Sequence, residues 1–316
     1  MKNVRELIKP EKIRKRRKVD NVWTWVFFIC GIISALMIVI IILFVGMRGI
    51  KPFLPGYEYT QQNLGSFLVG SSWRPDIATG VYGVGFIIIN TLISAFLAGL
   101  LSFPISVLTA LFVVKIAPDV LREPMTMVVQ LLAAIPSVVY GVFASTKISG
   151  LTDTIASWFN VSTYGGKSLL SVSLLLAIMI FPTITNMSID AIAAVDPNLE
   201  YGSLALGASR TQTNFKVVLT SAKSGIFAGL VLGLGRAFGE ATAVSMVAGN
   251  AQSGPTWNLF LPTRTLTSTM LSGLKETTGL DYDIRFSVGI VLMIIVIITN
   301  LSIQVAKNKT GGLKDE

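Results

Sequence analysis

Residues 224–250 read SGIFAGLVLGLGRAFGEATAVSMVAGN, an apolar stretch whose only charges are Arg236 and Glu240. About 20 such residues cross a bilayer, and both charges fall near the depth of its midplane. An ionisable residue there costs about 2.5–3.5 kcal/mol and persists where it faces protein or a pathway. At 100° per residue, Gly225, Gly229, Gly233, Arg236 and Glu240 share one narrow stripe, while Phe227, Leu230, Leu234 and Phe238 lie opposite. The glycines at four-residue spacing predict close approach by a neighbouring helix, and the opposite face is expected to meet lipid.

Two readings of the charged pair differ in consequence. An intrahelical ion pair contributes only about 0.2–0.5 kcal/mol, less than the cost of carrying two charges into the membrane. A pathway role gives the charges a task. Guanidinium offers a two-pronged donor to an oxyanion, and a carboxylate accepts from a protonated oxygen. Hydrogen phosphate has both features, whereas sulfate has no proton to give and would be repelled by Glu240.

Outward from this stretch, the whole chain has the same character. Of its residues 52% are hydrophobic and 14% charged, with a mean hydropathy of +0.68, well above what a soluble chain of this length needs for its core. Uncharged runs at 21–47, 77–114, 124–146, 168–189 and 286–306 join 224–250 to predict six membrane helices. The run at 77–114 is too long for one crossing and includes a lead-in. The expected organisation is a basic tail at 1–20, a first helix at 21–47, an external loop and lead-in at 48–84, a permease core at 85–306 and a tail at 307–316.

Orientation follows the basic residues. KNVRELIKPEKIRKRRK, residues 2–18, carries nine Lys and Arg against Glu6 and Glu11, which puts the N-terminus in the cytoplasm. Six crossings return the C-terminus, with Lys307, Lys309 and Lys314, to that side. Loops 115–123 and 190–223 are then cytoplasmic, and 48–76, 147–167 and 251–285 external. The basic excess is a topology signal, and no nucleic-acid partner is expected. Trp23, Trp25 and Trp73 near span ends read as interfacial anchors. Pro104, Pro136 and Pro182 lie inside apolar runs, where proline kinks a helix.

Several chemistries are excluded. There is no histidine, and the lone Cys30 lies in the first span, so no disulfide, metal site or histidine-based catalysis is expected. Gly166-Lys167-Ser168 resembles the end of a phosphate loop, but Val161 stands where that motif requires glycine. Asn160-Val161-Ser162 fits a glycosylation sequon that arises readily by chance. Loop 190–223 carries Asp196-Pro197 as helix cap and first turn, Gly207 as a breaker and a second helix from about 212. Such a helix–Gly–helix loop suits a groove on a soluble partner.

These segments resemble the permease subunits of bacterial ABC importers, most closely the PstC type of the phosphate importer. The resemblance spans roughly 68–305. It is carried by Gly233-Leu-Gly-Arg-Ala-Phe-Gly-Glu240 with Ala243-Val244 and Gly249-Asn250, and by Ile135-Pro-Ser-Val-Val-Tyr-Gly141. Trp73, Pro75, Asn90-Thr91-Leu92 and Trp257-Asn-Leu-Phe260 add to it. It implies an all-α integral membrane protein with six transmembrane helices and the type I importer permease (MetI-like) fold, in a bacterial plasma membrane with both termini cytoplasmic. It further implies a PstA-type second permease, two ATP-binding subunits, an external phosphate-binding protein, inorganic phosphate as cargo and membrane lipid as surroundings. This chain would bind no cofactor, ATP being used by its partners. Loop 190–223 is similar to the family's EAA loop, which docks on the ATPase. Aligned on Gly207, it has Tyr201-Gly202-Ser203 where Glu-Ala-Ala is usual, Glu200 one place early and Thr220 in place of the usual proline. Alternatives are a permease for phosphonate, sulfate or molybdate, or a membrane enzyme, the latter disfavoured by the missing metal-binding and nucleophile-activating residues.

Overall fold

The structure, a computed structural model, describes residues 10–76 and 80–309. The first nine residues of the basic tail and residues 310–316, Lys314 among them, lie outside these. Helix α1 (Pro10–Ile50) is apolar along its membrane stretch, and none of that stretch is buried by the rest of the chain. Trp23 and Trp25 are exposed on it. After a 3-10 turn at Lys51–Phe53, short helix α2 (Leu64–Val69) and strands β1 (Trp73–Arg74) and β2 (Val81–Tyr82) form a lid. Trp73 is fully buried there, edge-on to Tyr82 at 5.2 Å and clustered with Phe67 and Phe86. It is therefore a core residue of the lid, because two paired strands and α2 close over it, whereas a membrane-interface anchor was expected.

Helix α3 (Gly85–Leu111) continues through a π turn at Phe112–Ile116. The run at 124–146 is not one straight span. Helix α4 (Asp119–Ala134) meets α5 (Ser137–Phe143), which runs through a π turn into α6 (Ser149–Trp158), at an angle of 91°. Pro136 explains the break: the residue before a proline is driven out of the helical region, and Ile135 adopts ψ 127°. By contrast, Pro104 and Pro182 sit within continuous helices. Counting the bent pair as one, the membrane stretches number up to six among the described residues.

Helix α7 (Leu169–Ala193) is the axis of the bundle, with 67% of its membrane stretch buried, packed between α3 and a later helix, α10. The chain leaves α7 through α8 (Pro197–Ala205), a one-turn α9 (Arg210–Gln212) and a π turn at Thr213–Val218, then enters α10 (Leu219–Gly239). Short helices α11 (Thr242–Val247) and α12 (Leu266–Leu271) precede the last span, α13 (Gly279–Lys309). Helix α1 packs against α13: Phe44 meets Phe286 edge-on, Ser287 donates to the Gly49 carbonyl at 2.7 Å and Arg48 pairs with Asp283 at 3.2 Å.

The stretch at 224–250 is likewise divided. Helix α10 ends at Gly239, and Glu240 is extended at ψ 114°. Its carboxylate accepts from the Ala243 amide at 2.9 Å, and its carbonyl accepts from Thr267 Oγ1 at 2.7 Å. A side-chain acceptor at a helix start satisfies an otherwise orphaned amide, so Glu240 ends one helix and opens the next.

Candidate functional site

Where α10 reaches this break, Arg236 lies half-buried and its Nη1 donates to Thr183 Oγ1 of α7 at 3.2 Å. Among the described residues the ion pairs are Arg48–Asp283, Lys115–Glu200, Arg122–Asp119 and Arg285–Asp281. Arg236 belongs to none of them. The helix ends before Glu240 can stand one turn above Arg236, so the i, i+4 ion pair, the alternative to a pathway role, does not form among the described residues. What remains is a guanidinium with one neutral partner and a fork able to grip an oxyanion. Thr183 is missing from the residues singled out by sequence; its position after Pro182 is the one local signal for it.

The glycine stripe faces α7. A Cβ on Gly225 would sit 2.5 Å from Ala191 Cβ, one on Gly229 2.9 Å from Met187 Cβ, and one on Gly233 2.7 Å from Ile184 Cγ1. The face opposite is not lipid-bound. Phe238 is buried, Phe227 packs on Phe103 of α3 at 6.0 Å and Leu234 touches Gly99. Along its middle the exposed residues are Ser224, Ala228 and Leu232: α3 and α7 flank α10 on two sides, and on the third Ala228 and Leu232 line a gap shared with Ile303 and Gln304 of α13.

At the opposite end of α10, α8 buries none of its residues. Asp196 caps it by accepting from the Asn198 amide, Gly207 follows at φ +85°, and Ser209 with Gln212 forms a capping box. Leu199, Tyr201 and Leu206 are exposed, Leu206 at 91%. Gly202 has open space around it, and Ser203 Oγ bonds Thr213 Oγ1 at 2.9 Å, tying α8 to the π turn. Glu200 points back into the chain and pairs with Lys115 at the end of α3. The loops after α3 and α7 therefore share one side of the bundle.

The other side carries a cleft of about 1160 Å³ over α11, walled by segments 249–262 and 164–167 and by Arg74. Asn90 of α3 holds Thr256 through both its amide atoms, and Thr91 accepts from the Leu266 amide. Arg264 is buried, and its guanidinium donates to the carbonyls of Asn250 and Ala251 at 2.9 and 2.8 Å. Burial pushes its pKa down to about 10, with the neighbouring Arg285 adding repulsion, so it is a buried cation at neutral pH. No periodicity marks Arg264; its role appears only when the loop folds back.

Residues 102–308 match the family described as binding-protein-dependent transport system inner membrane component. The chain belongs to that family. It is 34% identical over 284 residues to the probable ABC transporter permease protein YqgH of Bacillus subtilis, covering 89% of both chains. To the phosphate transport system permease protein PstC of Pasteurella multocida it is 34% identical over 244 residues, covering 73% of this chain and 75% of that one. A chain of a bacterial alginate ABC transporter superposes with a TM-score of 0.60 at 16% identity, over 91% of this chain and 94% of that one. A chain of the MetNI methionine ABC transporter does so with 0.52 at 19% identity, over 72% and 95%. These two establish the fold. The protein is a multi-pass, PstC-type ABC permease with the all-α architecture of the MetI-like group.

Proposed function

We propose that this permease imports inorganic phosphate, forming half of a path completed by a PstA-type subunit. Two ATP-binding subunits would dock on α8 and its flanks, and an external phosphate-binding protein would deliver the cargo. Both termini and the α8 side then face the cytoplasm, in keeping with the basic residues at 2–18. The observation that carries the reading is Arg236: half-buried, bonded to one neutral hydroxyl and paired with no carboxylate among the described residues. Relatives named for phosphate transport support the cargo.

In this mechanism a hydrogen phosphate meets the guanidinium two-pronged, replacing lost water with charge-assisted bonds. Glu240 keeps one carboxylate oxygen on the Ala243 amide and offers the other to the protonated phosphate oxygen, while repelling an anion that has no proton to give.

The test is radiolabelled phosphate uptake by the assembled importer in cells lacking another phosphate transporter. Arg236→Leu is expected to lower uptake about a hundredfold at normal membrane abundance, the scale of removing one preorganised donor to an oxyanion. Arg236→Lys should also be poor, since a point charge lacks the planar fork. Glu240→Gln should raise the relative uptake of sulfate. Robust phosphate uptake by the variant carrying both Arg236→Leu and Glu240→Leu would overturn the proposal.

A further inference from the structure

The cleft described above is lined by Ser245 of α11, the helix that follows the break after α10, and two unrelated segments bring cations to it. Lys167 belongs to the Gly-Lys-Ser turn that no nucleotide motif explains. It is fixed by its neighbours: the Ser168 amide donates to the Val247 carbonyl, and those of Leu169 and Leu170 donate to Leu261 and Leu259, at 2.8–3.1 Å. Arg74 comes from β1, whose Trp73 amide donates to the Gln252 carbonyl, while the Gly254 amide donates to Ser71. The two segments that carry these cations are thus tied by backbone bonds to the same 247–262 stretch that walls the cleft. No Asp or Glu lies among the residues lining it, and the remaining polar groups, such as Gln252, Ser253 and Asn258, are neutral. Buried Arg264 stands behind the wall, bonded only to carbonyls of residues 250 and 251, so its charge adds to the field.

We propose that this cleft is an external binding site for hydrogen phosphate, with Arg74 and Lys167 as its cationic contacts, where the ion dwells before reaching Arg236. A low-dielectric concavity lined by one sign of charge concentrates the opposite ion and raises its local concentration roughly 10- to 1,000-fold. Ser245 of α11 lines the cleft, five residues along the chain from Glu240, which relates the site to the break by one short helix. The cargo identity rests on the phosphate reading above; the location rests on the cleft itself.

The experiment places a reporter thiol, Ser253→Cys with Cys30→Ser, in the assembled importer. Its rates of modification by anionic and cationic methanethiosulfonates are compared, with and without inorganic phosphate. The anionic reagent is expected to react about tenfold faster than the cationic one, the lower end of such focusing, and phosphate should slow it severalfold. Adding Arg74→Gln and Lys167→Gln should bring the two rates together and abolish protection. Gln252→Cys serves as a second reporter should Ser253→Cys perturb the loop. Equal rates for the two reagents, or no protection by phosphate in an importer that takes phosphate up, would overturn the site and leave the phosphate reading standing. Protection by sulfate alone, in an importer that takes up no phosphate, would overturn both.

Discussion

Arg236, Arg264 and Arg285 separate by what surrounds them. Arg285 is buried with Asp281 at 3.1 Å and donates to the carbonyls of Thr269 and Ser272, so its charge is consumed in holding α12 on α13. Arg264 has its donors occupied by two loop carbonyls, which leave its charge uncancelled but its fork closed to a ligand. Arg236 alone of the three has only a hydroxyl, which is why a transported anion is proposed for it. Glycines on the same helix divide in a similar way. A Cβ at Gly229 would come within 2.9 Å of Met187 Cβ and 3.4 Å of the Ile184 carbonyl, whereas one at Gly235 meets nothing within 4 Å. Gly229→Val should therefore cost about 1–3 kcal/mol by overpacking, seen as a lower thermal midpoint of the purified complex. Gly235→Ala should be neutral or stabilising by up to about 1 kcal/mol through helix propensity. Equal losses from both would mean that backbone flexibility, and not the approach of α7, governs the stripe. The stripe was legible in the sequence because four-residue spacing projects directly onto one helical face. The partner of Arg236 was not: Thr183 stands 53 positions away in sequence, and only packing brings it near.

At the scale of elements, hydropathy located the spans and missed their interruptions. A window of apolar residues looks the same whether it is one rod or two pieces at 91°, so Ile135-Pro136 changes the shape of the third crossing without changing its composition. The end of α10 was hidden for a related reason. Gly239 and Glu240 can continue a helix, and the interactions that stop it, a carboxylate on the Ala243 amide and Thr267 on the Glu240 carbonyl, belong to the following segment. Loop 190–223 was readable because its signals are local: a capping Asp196, Pro197 and Gly207 all act within one turn. That element supports a sharper prediction. With Leu206 exposed at 91% just after α8 and Glu200 already paired to Lys115, exposed apolar side chains are the main groups this loop offers a partner. Leu206→Asp should leave the permease in the membrane yet strip ATP-binding subunits from it in pull-down, while Lys115→Gln should weaken association far less. Gly207→Pro should act like Leu206→Asp, since φ +85° is closed to proline. Retention of the ATPase by both Leu206→Asp and Gly207→Pro would move the docking surface elsewhere.

Across the whole molecule, chemistry is sorted by end. One end holds α8, the Lys115–Glu200 link and the most exposed apolar residue in the loop. The other holds the lid around Trp73, the Arg48–Asp283–Tyr57 cluster and the cleft with Arg74 and Lys167. Between them α7 is the fixed axis, and α1 lies outside the bundle, fastened to α13 chiefly at its lid end. An importer needs such polarity, with cargo accepted at one face and energy coupled at the other. Which face is outside is then a single binary question, and the basic residues at 2–18 predict an external lid. Single cysteines in a Cys30→Ser background test the assignment: Gln61→Cys, in the exposed loop before α2, should react with a membrane-impermeant maleimide on intact cells. Leu206→Cys should react only after permeabilisation, although Leu206 is 91% exposed in the isolated chain. Reaction of both from outside would break the six-crossing arrangement, and the reverse pattern would turn the whole molecule over, placing the cleft where no external binding protein could reach it.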